Sequence, residues 1–376
     1  MKLFEIELYK LVRGKFFIIS FWCAISILIF YFCFVIVGEE RSVVDGAVYR
    51  GYQAILADRN MAEEFRGAFT HETAERIVEK YGFPSEVEEN YGGFRDENYL
   101  NGFVTEYLGN GYMRDWNDYK VSTALLPMSG SDLGKVMEKT GKEFPFDYAE
   151  GWSAFLDALQ LGMVLGSALV LIAVSPVFAG ERQSGMSDLL FTSAEGRDRD
   201  VAAKVFACFA VTILIYAAVV LCVFALTGAA YGFRGTECMS GMVTERHSLS
   251  AASPISMKPV KDYVALTLAL DFLGLAALCA VILSVSAHFE GTFQAVSVST
   301  MVWLLPLLIR ILFGGMGYAL VSGTPLFLMM NGILADWYGM LMIPVGIAGA
   351  LLVLGTISGY RVYRGREPSR RAGRAG

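Results

Sequence analysis

Two stretches carry residue types that could do chemistry in water, and each departs from the pattern that chemistry needs. His71-Glu72-Thr73-Ala74-Glu75 opens like the H-E-x-x-H zinc helix, in which two imidazoles one turn apart hold the metal and the glutamate activates water. Here the second ligand position is Glu75, and only His247 and His288 remain as further imidazoles. The pattern therefore predicts a solvated helix face bearing Glu72, Glu75 and Glu79, with no metal. The stretch Gly130-Ser131-Asp132-Leu133-Gly134-Lys135-Val136 is similar to a phosphate loop, but it is one residue short between the glycines. It also ends in Val136, where a Ser or Thr must hold magnesium. No G-x-S-x-G elbow accompanies a Ser, His and Asp set, which argues against a soluble-type hydrolase. The six cysteines show no C-x-x-C spacing, and five of them lie in apolar runs, where a lone Cys is a small buried side chain. The sixth, Cys238, stands in a polar loop.

A second group of candidates depends on where the chain runs. Hydrophobic residues make up 55% of the sequence and charged ones 18%, with a mean hydropathy of +0.47. An ordinary globular surface cannot solubilise that composition. Apolar runs at 16 to 37 and at about 152 to 179, 201 to 230, 263 to 287, 294 to 320 and 339 to 360 can each cross a bilayer core, which takes roughly 20 helical residues. Six spans put both ends on one side. Basic residues mark that side as cytoplasmic: four in the first fifteen positions, Arg182, Arg197, Arg199 and Lys204 after the second span, and Arg361, Arg364, Arg366, Arg370, Arg371 and Arg374 at the end. Arg234, Arg246, Lys258 and Lys261 on the other side weaken the bias without reversing it. Residues 2 to 15 place apolar side chains at helical spacing and read as an interfacial amphipathic helix. The run behind it is longer than a signal-peptide core and lacks a small-residue cleavage pattern, so an uncleaved span is expected. Trp22, Trp152 and Trp337 fall near span ends, which suits interfacial anchoring.

Within these spans ionisable residues are costly, and three are candidates for function: Asp157, Asp271 and Arg310, all placed by counting in the outer half of the bilayer. A carboxylate paired with Arg310 would reduce its burial cost, either to fix span packing or to line a polar path. Gly162 and Gly166 form a small-x-x-x-small face, Gly314, Gly315 and Gly317 break the end of the fifth span, and Pro176 and Pro306 permit kinks. The segment 321 to 337, interrupted by Gly323, Pro325 and Asn331, reads as a re-entrant or interfacial hairpin. A seventh span would put the Arg-rich tail outside.

The chain divides into 1–38, the amphipathic helix and first span; 39–151, an extracellular domain; and 152–376, five further spans with a cytoplasmic loop at 179–200 and a basic cytoplasmic tail at 361–376. Between Glu39 and Glu150 there are 22 acidic and 12 basic residues, although the whole chain carries only −6. The sequence predicts helices over VYRGYQAILADRNMAEEFRGAF and HETAERIVEKYG, the latter stopped by Gly82 and Pro84. The Gly-, Asn- and Tyr-rich stretch from Tyr91 to Tyr119 supplies aromatic rings either to a small core, which is favoured, or to a surface for a cationic or amphipathic ligand.

Between the second and third spans, Glu181, Gly185, Leu189-Leu190, Ser193, Arg197 and Lys204 stand in the pattern E-x-x-x-G-x-x-x-L-L-x-x-S-x-x-x-R-x-x-x-x-x-x-K. This resembles the loop between the second and third spans in permeases of type-two ATP-binding-cassette (ABC) exporters, with Met186 where that family often has Thr. The amphipathic N-terminus as an elbow helix, the large external domain, Ser253-Pro254 before the fourth span and the broken segment before the last extend the likeness over nearly the whole chain. The fold class expected is mainly α: a polytopic membrane protein of six transmembrane helices with an extracellular insert, α+β or mainly α.

The resemblance implies a plasma-membrane permease subunit that is not itself an enzyme. It would work with a separate ABC ATPase subunit that binds ATP and Mg, and with a second permease copy or homologous permease, in membrane lipid and without nucleic acid. It implies a coupling helix seated in the ATPase, with Leu189, Leu190 and Phe191 as apolar anchor, Gly185 in the loop, and Glu181, Arg182 and Arg197 as polar rim contacts. Alternatives are a sensing or immunity module for antimicrobial peptides and, less favoured, a membrane enzyme or structural anchor.

Overall fold

The computed structural model describes residues 2–86, 94–111, 121–141, 143–192, 198–244, 254–330, 333–334 and 338–365. Among the described residues, six helices are long and apolar enough to cross a membrane: Lys15–Glu39, Glu150–Gln183, Arg199–Ala230, Val260–His288, Thr292–Met316 and Met342–Arg364. They are called the first to sixth spans below. The chain is a mainly helical, multi-pass membrane protein.

The second and fourth spans form the centre of the bundle, each 61% buried over its most apolar window, against 11% for the fifth. Small residues let the helices approach. A Cβ on Gly162 would lie 2.6 Å from Cγ1 of Val219 on the third span, and one on Gly166 would lie 3.5 Å from Ile215. A second such face, Gly355 and Gly359 on the sixth span, was not expected; there a Cβ would meet the fourth-span backbone, at Ala280 (2.8 Å) and Leu283 (3.3 Å). Pro176 opens a new helical segment, Pro176–Gln183, at the end of the second span. The fifth span breaks at Gly314, whose φ of 55° lies in the left-handed region open to glycine. After Val321 the described residues form a short helix, Pro325–Leu328, packed between the fourth and sixth spans. A Cβ on Gly274 would touch Met329 and the Pro325 carbonyl, and one on Gly323 would touch Ile347. The described part of the segment thus packs within the bundle.

The insert between the first and second spans has two small antiparallel sheets and several helices. Strand β1 (Arg41–Val44) turns at Asp45-Gly46, both with positive φ, into β2 (Ala47–Arg50), which suits the twist of a two-residue hairpin. The helix expected over residues 48 to 69 is confined to Tyr52–Glu64. Gly51 and Gly67, both at positive φ, end the helical path on either side, and Val48–Arg50 and Gly67–Phe69 become strands. Helix His71–Tyr81 forms as expected, capped by the Thr70 side chain and ended by Gly82 at φ 68°. Strand β3 (Gly67–Phe69) pairs with β4 (Phe144–Phe146).

The described aromatic rings make a core. Phe69, Phe103, Phe144 and Phe146 are buried, with Phe103 and Phe146 centroids 4.8 Å apart and Tyr99 and Tyr148 centroids 4.9 Å apart. The insert is tied to the loop after the third span: Arg59 reaches the Tyr231 carbonyl, Arg234 pairs with Glu63, and Asp147, which also pairs with Arg66 inside the insert, accepts from the Gly235 N–H at 3.3 Å. Trp152 is buried and donates from Nε1 to the Arg234 carbonyl at 2.8 Å, so it is a packing residue and not an interfacial anchor. Trp22 is exposed on the first span, and Trp337 lies outside the described residues.

Candidate functional site

The residues beginning the third span and ending the second and sixth share one face of the bundle with the N-terminal helix, Lys2–Arg13. At their meeting point lies Lys204, whose side chain has no exposed surface. Its Nζ stands 3.2 Å from Glu181 Oε1 and 3.7 Å from Glu7 Oε1, and it also pairs with Asp200 one helical turn before it. Glu7 takes a second cation, Lys10, at 2.6 Å. Glu181 Oε2 accepts from the hydroxyl of Tyr363 on the sixth span at 2.8 Å. One ammonium therefore joins the N-terminal helix with the second and third spans, and Glu181 extends the link to the sixth. Charges taken so far from water persist only when paired and hydrogen-bonded, which makes the cluster a rigid post.

Arg182 completes it. Its guanidinium donates to the carbonyls of Phe289, at 2.7 Å, and Ala287, satisfying the orphan end of the fourth span, and it lies 5.0 Å from the Tyr363 ring centroid. Tyr363 also stacks on Phe178, with ring centroids 4.3 Å apart. Ser286 Oγ receives the backbone N–H groups of Phe178 and Ala179 and donates to the Ser175 carbonyl at 2.7 Å. Gln183 Oε1 accepts from the Thr292 N–H at the start of the fifth span, at 2.9 Å.

From this base the chain turns at Gly185, φ 72°, into a short helix, Met186–Thr192. Leu189 on that helix is 73% exposed and Leu190 is half-buried. The Phe191 side chain and all of Ser193 and Arg197 lie outside the described residues, as does Ser253. Glu181 and Arg182, expected as contacts to a partner, are instead turned into the chain's own framework. Glu7, Asp200 and Tyr363 were not singled out from the sequence. Asp200 with Lys204 and Glu7 with Lys10 left local signals, opposite charges four and three apart on a helix, whereas Tyr363 left none.

The three intramembrane candidates differ in burial. Asp271 is buried on the fourth span, and its Oδ2 has no hydrogen-bond partner, whereas Asp157 and Arg310 are exposed on the second and fifth. The structure does not bring Asp271 to Arg310. His71 pairs with Glu75 at 3.6 Å on an exposed helix face, and among the described residues no His, Cys, Asp or Glu group is arranged to hold a metal. Ser131 caps helix Asp132–Thr140 by accepting from the Gly134 N–H at 3.1 Å, so the phosphate-loop look-alike is a capped turn. The cysteines are free; Cys208, Cys238 and Cys279 are buried, while Cys23 and Cys33 are exposed on the first span.

Fold and site together define a six-span membrane protein with a folded polar insert on one face and an ion-locked, helix-bearing loop on the other. No family model, curated protein or solved structure matches the chain.

Proposed function

We propose that this chain is the permease subunit of an ABC exporter in the plasma membrane, with both termini cytoplasmic, driven by an ATPase on a separate chain. The observation that carries the reading is the exposed Leu189 on helix Met186–Thr192, which projects from a base where the N-terminal helix and the second, third, fourth and sixth spans are bonded together. A force transmitted from that helix to its base would act on five helices at once. The same face carries Lys2, Lys10, Arg13, Lys15, Arg199, Arg361 and Arg364, in keeping with a cytoplasmic side. Leu189 and Leu190 are the apolar anchor for the ATPase, and Glu181 and Arg182 hold the loop in the presenting position. Closure of paired ATPases would bias two copies of the bundle between alternative packings.

The test is direct binding of a purified ATPase subunit, encoded beside this chain, to the detergent-solubilised protein. Leu189→Asp with Leu190→Asp is expected to weaken binding at least about 30-fold, as removal of an interface hot spot does, with the melting temperature of the chain unchanged. Equal binding by wild type and variant sinks the coupling role. Arg310 is read as part of a polar path, so Arg310→Met is expected to abolish transport at a normal membrane level. Undiminished transport in reconstituted vesicles would leave it a packing residue.

A further inference from the structure

The N-terminal helix packs on the bundle through Leu8 and Leu11, with Glu7 reaching Lys204 between them. Leu3, Ile6, Tyr9 and Val12, spaced three apart, are left exposed, as on a helix lying in a bilayer interface. At Val12 this stripe runs into a crevice of about 280 Å³ between the first and third spans. Phe21 and Trp22 line it from the first span and Val211, Ile215 and Ala218 from the third, and every lining residue is aliphatic or aromatic. The seven residues from Val211 to Ala218 rise ~10 Å, within the ~15 Å of hydrocarbon that one leaflet presents. Trp22 is 62% exposed, with its ring edge-on to Phe21 at 5.8 Å between centroids, so the crevice has a wall that faces away from the protein.

An apolar crevice between spans would specify nothing alone, and the second observation is the charge beside it. Arg13 and Lys15 flank Gly14, the extended joint (ψ 124°) between the N-terminal helix and the first span. In the chain they stand between Val12 and Phe17, both of which line the crevice. Both cations are exposed, and neither forms an ion pair with any described residue, whereas Lys10 is taken by Glu7. Glu5, the exposed carboxylate of the helix, lies more than two turns before Arg13. Arg13 is also held in place: its guanidinium donates to the Tyr9 hydroxyl and stands 4.9 Å from the Tyr9 ring centroid. Two cations without counter-ions at the head of an apolar slot are complementary to a phosphate carried on an alkyl chain.

We propose that this crevice binds one acyl chain of an anionic phospholipid, whose phosphate is held by Arg13 and Lys15. The volume, spread over ~10 Å of helix, leaves a section of ~28 Å², which suits a single extended chain and is far too narrow for a helix of ~10 Å diameter. The site lies in the leaflet next to the N-terminal helix. It is a property of this chain alone and stands whether or not an ATPase binds the helix Met186–Thr192.

Trp22 makes the site visible. It lies seven residues beyond Lys15, ~10 Å along the helix, level with the upper half of a chain whose phosphate is at Lys15. The full chain is reconstituted into vesicles of mixed phosphatidylglycerol and phosphatidylcholine, with one lipid or the other brominated in the upper half of its chains. Quenching at Trp22 is read as the difference between the wild type and Trp22→Phe.

Phosphatidylglycerol is expected to be preferred about tenfold over phosphatidylcholine, since both cations attract its headgroup, and the preference should shrink as salt is raised. Arg13→Gln with Lys15→Gln should bring the two lipids to parity and leave the melting temperature of the chain unchanged. Lys2→Gln removes a cation of the same helix far from the crevice and should keep the preference. Ala218→Phe, which fills the crevice from the third span, should reduce quenching by either lipid at least about threefold, as loss of a packed apolar site does. Equal quenching by the two lipids in the wild type would leave only the lipid that surrounds any span and overturns the proposal. A preference that survives Arg13→Gln with Lys15→Gln also overturns it, because general surface charge would then be the cause.

Discussion

Lys204→Met is expected to destabilise the chain by about 3–5 kcal/mol, the loss seen when one partner of a buried ion cluster is removed. The side chain is fully buried and its partners Asp200, Glu7 and Glu181 are 4%, 9% and 14% exposed, so water cannot replace the missing ammonium. Methionine fills most of the volume, which isolates charge as the cause. Lys10 still neutralises Glu7, leaving Asp200 and Glu181 as the uncompensated pair. The loss should appear as a lower midpoint in chemical or thermal unfolding of the purified chain. Lys204→Met with Glu181→Gln should recover part of it, because the pair then carries one negative charge instead of two. Glu181→Gln alone should be mild, since Lys204 keeps Asp200 and Glu7. An unchanged midpoint in Lys204→Met would show that the cluster does not hold these helices together.

Gly355→Leu is expected to cost about 3 kcal/mol or more and to deplete folded protein from the membrane. A Cβ at this position would come 2.8 Å from the carbonyl carbon and oxygen of Ala280 and 3.1 Å from the Val281 nitrogen. These are backbone atoms of a helix, which cannot swing away as a side chain can. The sixth span would have to lift off the fourth, taking Tyr363 from Glu181 and Arg182. Gly349→Leu is the control: nothing lies within 4 Å of a Cβ there, and the variant should accumulate and melt as wild type does. Equal behaviour of the two variants would mean that the close approach of these spans is dispensable.

The two sites differ in how far they could be foreseen. Gly162 and Gly166 were legible as a packing face because both partners of the motif lie one turn apart on one helix. Gly355 and Gly359 have the same spacing, but their importance comes from backbone 75 residues earlier in the chain, at Ala280. Helix His71–Tyr81 was legible from its own cap and stop, Thr70 and Gly82. The longer helix expected across residues 48 to 69 was not, since β3 is decided by Phe144–Phe146, far along the chain. Glu181 and Arg182 were read by analogy as outward contacts. Which way they point depends on Lys204, Tyr363 and the end of the fourth span, none of which is a sequence neighbour.

Composition and the lengths of apolar runs alone determined that this is a membrane protein of six spans, because the bilayer acts on each helix locally: about 20 apolar residues suffice whatever the neighbours are. Charge bias and motif spacing marked the loop after the second span as the place to look. Only the tertiary structure decided that the loop rests on a buried four-residue ion cluster, and that an apolar crevice between the first and third spans lies beside Arg13 and Lys15. Burial and ion pairing are properties of side chains brought together from distant positions, and their energies depend on distance and local dielectric, which no linear spacing contains.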